Sequence, residues 1–225
     1  MVDFPLILVN LKTYREATGE EAVKLAVVAE EVARTTGVSI AVAPQTVDLR
    51  MVVEATEVPV FAQHIDPVGY GRYTGHVLPE ALVEAGCAGT LISHSERRLE
   101  LGVVEASVRR AKEVGLVPVV CVDEVERGRA VARFRPEAVA IEPPELIGTG
   151  IPVSRSRPEV VSRAVEAVKS VDPGVKVLCG AGITDGGDVS AAIRLGAEGV
   201  LVASGVVKAE NRYEVFMDLA EAMRG

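Results

Sequence analysis

The chain has 225 residues, 48% of them hydrophobic, enough for one large domain or two small ones with a core that folds unaided. Its 24 Lys and Arg against 32 Asp and Glu give a net charge of −8, which argues against nucleic-acid and acidic-membrane partners but allows a local cationic pocket for a small anion. Before the short apolar run at 5–9 there is no basic flank, and no run is long enough to cross a bilayer, so the reading is a cytoplasmic protein without signal peptide or membrane span.

Cys87, Cys121 and Cys179 are far apart and odd in number, and are read as buried reduced thiols; no pair has metal-ligand spacing, and neither a metal nor a cofactor is expected. Asn and Gln occur twice each, a depletion compatible with a thermophilic source.

In chain order, the first apolar run, PLILV (5–9), ends in Asn10 and Lys12. A helical pattern over 19–37 follows, closed by Gly37. VSIAVA (38–43) and VPVFA (58–62) come next, the latter ending at Gln63. The segment 61–76 then reads as a long exposed excursion, with His64 and His76 as loop residues lacking a partner at metal spacing. A loop of that length in a compact domain is usually functional or interfacial. GTLIS (89–93) leads into Ser93, His94, Ser95 and Glu96; VPVVCV (117–122) is the fifth run; AVAIE (138–142) ends in Glu142, followed by two prolines and a Gly-Thr-Gly cluster. A helical pattern over 157–171 precedes VKVLCG (175–180), which runs into Gly180, Ala181 and Gly182. After the helical pattern 185–199, GVLVAS (199–204) runs into Ala203, Ser204 and Gly205.

Continuously apolar runs are what parallel strands buried on both faces require. Eight of them alternating with about eight helical patterns, with no linker, predict an α/β fold: a single (β/α)₈ barrel domain over 1–225. In such a barrel chemistry sits at the C-terminal strand ends, so Asn10, Lys12, Gln63, His94, Glu142 and the turns at 180–182 and 203–205 can face one mouth.

Each of these residues has a plain alternative. Lys12 alone reads as a solvated charge, but its place two residues past a buried strand beside Asn10 favours an inward ammonium. His94 could be a rim histidine; with Ser93 or Ser95 capping a following helix, the helix end disfavours the imidazolium and leaves a neutral ring able to donate to a carbonyl oxygen. Glu96 with Arg97 and Arg98 reads as an ion-pair cluster bracing the turn. Glu142 could be a rim carboxylate, yet the prolines fix its direction while Gly148 and Gly150 free the far end, the design of a loop that moves as a unit over a fixed acid. The turns GAGI (180–183) and ASG (203–205) offer backbone N–H groups to a phosphate.

These stretches resemble one family along essentially the whole chain: VNLKTY (9–14), APQTVDL (43–49), FAQHID (61–66), YTGH (73–76), SHSERR (93–98), VCVDE (120–124), EPPELIGTG (142–150), CGAGI (179–183) and LVASG (201–205) are similar to triosephosphate isomerases. The resemblance implies Glu142 as the base that moves a proton between two carbons, His94 as the neutral electrophile and Lys12, with Asn10, as the cation supporting the enediolate. It implies phosphate contacts from Ile147, Gly148, Gly180, Ala181, Gly182, Ala203, Ser204 and Gly205, and insertion of Thr74 beside Asn10 and Lys12 of a partner subunit. Glu96 is similar to an acid close to the lysine. The chain departs from many members in Ser93 for Gly, Glu145 for Trp, and Gly-Ala-Gly for Gly-Gly-Ser at 180–182. These features and the short 123–137 segment resemble the compact archaeal form, which implies a homotetramer, with a dimer as the alternative, and a phosphorylated triose as substrate. The rival readings are another phosphate-binding barrel isomerase or lyase and a non-catalytic triose-phosphate binder.

Overall fold

The computed structural model describes residues 2–143 and 152–224. Its strands are β1 (Leu6–Asn10), β2 (Ser39–Ala43), β3 (Phe61–Ala62), β4 (Gly89–Ile92), β5 (Val117–Val122), β6 (Ala138–Ile141), β7 (Lys176–Cys179) and β8 (Gly199–Val202). They form one parallel sheet in the order β2-β1-β8-β7-β6-β5-β4-β3. A parallel bridge between Val42 and Val60 closes the ring, giving the expected single-domain (β/α)₈ barrel. β3 is shorter than the apolar run 58–62: Pro59 has no N–H for a ladder, and Val60 pairs only through the isolated bridge to Val42 and by accepting the Ala88 N–H at 2.8 Å.

Side chains alternate between two cores, which is why the strands read as continuously apolar. Leu6, Leu8, Phe61, Leu91, Val119, Ala140 and Leu178 fill the barrel interior. Ile7, Val9, Ile40, Ile92, Val120, Ile141 and Val177 face the helices. Phe61 needs Gly89: a Cβ there would lie 2.3 Å from the Phe61 ring and 2.5 Å from the Val117 carbonyl.

The helices between strands are α1 (Glu20–Thr36), α2 (Leu49–Ala55), α3 (Pro79–Glu84), α4 (Leu101–Glu113) and α5 (Val125–Ala132). After β6 come α6 (Val153–Ser156), α7 (Pro158–Lys169), α8 (Gly186–Arg194), α9 (Ser204–Val207) and α10 (Arg212–Arg224). α1 shows how the pattern works. Ala22, Leu25, Ala26, Ala29 and Val32 form its buried stripe, and Gly37 closes it in the left-handed conformation, donating its N–H to Ala33. α6 and α9 are single turns within the loops after β6 and β8, so the described residues hold more helices than the roughly eight expected.

The three cysteines are free and buried, and burial pushes the Cys87 thiol up to about 11. None of the described helices is long and apolar enough to cross a membrane, and the described residues contain no cluster of three or more His, Cys, Asp or Glu fit for a metal ion.

Candidate active site

All of the expected site residues that are described, except Gln63, Gly180 and Thr74, line one pocket. It is lined by Asn10, Lys12, His94, Glu142, Ala181, Gly182, Ala203, Ser204 and Gly205, with Tyr14, Ile183 and Thr184 among its further walls. The strand ends bring them there as the barrel geometry requires. Ile147 and Gly148 lie outside the described residues. Gly180 stands behind the wall, where a Cβ would meet the Glu142 side chain at 3.0 Å and the Leu201 carbonyl at 3.1 Å; its part is to let Glu142 approach β7.

Glu142 prolongs β6, its N–H donating to the Val122 carbonyl at 2.8 Å. The residue is buried, and burial raises its carboxyl above the ordinary 4.5, opposed by the charges of His94 and Lys12. Its Oε2 makes no hydrogen bond to a described residue. Facing it at 3.4 Å is Nε2 of His94, likewise without a hydrogen-bond partner.

The His94 ring is held by its own turn. His94 itself, rather than Ser93 or Ser95, caps the 3₁₀ turn Ser95–Arg97: its Nδ1 accepts the Glu96 N–H at 3.2 Å. That bond needs a lone pair on Nδ1, so this partner assigns the ring proton to Nε2, on the pocket side. Ser93 adopts φ +59°, the left-handed region where glycine is easier, and its hydroxyl accepts the Leu99 N–H at 3.1 Å.

Lys12 also sits in the left-handed region, with φ +49°. Asn10 Oδ1 accepts its N–H at 3.0 Å, and Gln63 Nε2 donates to its carbonyl and to that of Ala43, both at 2.9 Å. Such a conformation costs about 1–3 kcal/mol and persists only when clamped. Gln63 is thus a functional support; that it ends a buried run was the available signal. The Lys12 ammonium meets Glu96 at 2.9 Å. The expected Glu96–Arg97–Arg98 cluster therefore does not form as such: Glu96 turns to Lys12, and Arg98 pairs with Asp123.

The two glycine-bearing turns touch each other, since a Cβ on Gly205 would meet the Ile183 carbonyl at 2.8 Å. The N–H groups of Gly182, Ser204 and Gly205 have no described hydrogen-bond acceptor, so they are free for an anion. Thr74 lies away from this pocket, in the wholly exposed stretch 69–76. His64 is not an exposed loop residue: it is buried and pairs with Asp66 at 3.0 Å, because the chain stays packed under the barrel rim through Ile65.

The family model described as Triosephosphate isomerase matches residues 5–223. Among similar curated proteins, the triosephosphate isomerase of Methanocaldococcus jannaschii is 53% identical, covering 95% of this chain and 98% of its own length. Those of Methanothermobacter thermautotrophicus and Methanosarcina acetivorans are 52% and 53% identical, each covering 96% of this chain and 95% and 97% of their own.

Proposed function

The chain belongs to the triosephosphate isomerase family, and from that premise we propose that it interconverts glyceraldehyde 3-phosphate and dihydroxyacetone phosphate, a step of glycolysis and gluconeogenesis, with Glu142, His94 and Lys12 as catalytic residues. The observation that carries the residue assignment is the facing pair of Glu142 Oε2 and His94 Nε2, buried yet without hydrogen-bond partners among the described residues, in a pocket that also holds Lys12 and two turns whose N–H groups have no described acceptor.

The Glu142 carboxylate takes the proton from the carbon next to the substrate carbonyl. The electron pair moves onto the carbonyl oxygen, which the Nε2–H of His94 and the Lys12 ammonium stabilise as an enediolate. His94 gives its Nε2 proton to that oxygen and takes the proton of the neighbouring hydroxyl, whose oxygen becomes the new carbonyl as Glu142 returns the first proton to the carbon of the old carbonyl, leaving the other isomer. A carboxyl raised by burial is a stronger base than an ordinary glutamate, which suits carbon deprotonation. Gly182, Ser204 and Gly205 hold the phosphate through main-chain N–H groups, with Ala181 and Ala203 shaping the turns and Asn10 holding Lys12. The family resemblance adds Ile147 and Gly148, outside the described residues, to the residues proposed for the phosphate.

In this reading residues 1–225 are one domain of a cytoplasmic homotetramer from a thermophile, with a dimer as the smaller alternative. The resemblance to the compact archaeal form and the exposed 69–76 stretch support the assembly; Thr74 of each subunit reaches the neighbour's cleft beside Lys12, lined by Thr46, Gln63 and His64. The test is a coupled assay with glyceraldehyde 3-phosphate. Conversion to dihydroxyacetone phosphate is the expected result; binding without conversion would favour the non-catalytic reading.

A further inference from the structure

Asp188 is a fully buried carboxylate beside the β7–α8 turn, outside the pocket just described. Its Oδ2 accepts the Thr184 N–H at 2.9 Å, the Thr184 hydroxyl at 3.0 Å and the Asp185 N–H at 3.3 Å, while Asp185 Oδ1 accepts the Asp188 N–H at 2.9 Å. This capping box fixes the turn from Thr184 into α8. It also buries a full negative charge close to where a dianionic phosphate would bind. A charge in that position is tolerated only when paired.

The pairing comes from a different loop. Arg155, on α6, places Nε 2.7 Å from Asp188 Oδ1, held by charge rather than by an aligned hydrogen bond, and Nη2 2.5 Å from Asp185 Oδ1. Gly187 makes room for this: a Cβ there would lie 2.2 Å from the guanidinium. Two more links join the same segments, Val153 N–H to the Ala181 carbonyl at 3.2 Å and the Ser154 hydroxyl to the Asp188 carbonyl at 3.1 Å. Thr184 in turn packs on Gly205, with 3.2 Å from its Cα to a Cβ built there.

We propose that Arg155 is a positioning residue for phosphate binding: its fork across Asp185 and Asp188 holds the 181–185 turn, and through Thr184 the 203–205 turn, in register for the phosphate while neutralising the buried acid beside it. The inference rests on the reading that these two turns hold the phosphate. A guanidinium suits this task because its planar fork reaches two carboxylates at once, whereas an ammonium keeps the charge but supplies one point.

The experiment uses the native protein, Arg155→Lys and Arg155→Gln, with inorganic phosphate as competitive inhibitor and folded content checked by circular dichroism. Native inhibition by phosphate, competitive with substrate, is what the two-turn reading requires; its absence removes that reading and this inference with it. Given native inhibition, Arg155→Gln should weaken phosphate at least about tenfold and Arg155→Lys about threefold, with KM rising in parallel and kcat falling less. A purely structural role would lower the folded fraction and leave the inhibition constant of the folded protein where it was. An unchanged constant in either folded variant overturns the assignment, and if Arg155→Gln is not recovered folded, Arg155→Lys decides by the same criterion.

Discussion

His94 Nε2 and Glu142 Oε2 stand 3.4 Å apart, both buried and neither hydrogen-bonded to a described residue. Two polar atoms left this way inside a protein cost stability unless a further group completes them. A carbonyl oxygen bound by the first and an acidic C–H presented to the second would do so, and substrate binding is then what satisfies the site.

Glu142→Gln keeps the shape of the side chain and removes its basicity. We expect kcat to fall by at least about 10²–10⁴ with a modest change in KM, measured in the coupled assay. Retention of kcat within about threefold would end the base assignment.

The raised Glu142 carboxyl has a sign that can be checked in two ways. The acid limb of kcat/KM should lie above 4.5, the ordinary value, since the free enzyme must lose this proton before it can act as base. For stability, a carboxyl raised by folding favours the native state while protonated, and that contribution is lost as pH climbs from 4.5 through the folded value. The stability of Glu142→Gln relative to the native protein should therefore increase over that window in urea titrations. A constant difference would show that the carboxyl is not raised.

His94 should carry its proton on Nε2 and none on Nδ1, because Nδ1 accepts the Glu96 N–H. Long-range ¹⁵N–¹H spectra of the imidazole at neutral pH distinguish the tautomers. Protonation at Nδ1 would disconnect His94 from the electrophile role.

In the proposed mechanism Lys12 attracts the substrate dianion as well as the enediolate, so Lys12→Met should raise KM and lower kcat together. It also strands Glu96 without its partner at 2.9 Å. An unchanged affinity for inorganic phosphate would place the ammonium outside the site.

The proposed assembly predicts a particle of about four times 23.7 kDa in sedimentation. Thr74→Arg should dissociate it and reduce activity together, because the reach of Thr74 into a neighbour's cleft would be blocked. A native monomer with full activity at nanomolar concentration would overturn the proposal.

By itself the sequence determined the barrel and the set of strand-end residues. Runs such as 117–122 and 138–141 are apolar throughout because both their faces are buried, and that pattern alone places Glu142, His94 and Lys12 at one mouth. The prolines after Glu142 are equally local, and so is Gly37 closing α1. Tertiary structure alone decided who holds whom. Gln63 clamps the Lys12 carbonyl from 51 residues away, Glu96 takes the Lys12 ammonium from 84, and Arg155 reaches Asp185 from 30. Nothing in SHSERR says that the histidine caps its own turn while the glutamate turns across the mouth, and nothing in TDGGD says that its last acid is fully buried. Local pattern records which face of an element is dry. Barrel closure sets which strand ends become neighbours, and the direction of each polar side chain follows from the partner that closure places within reach.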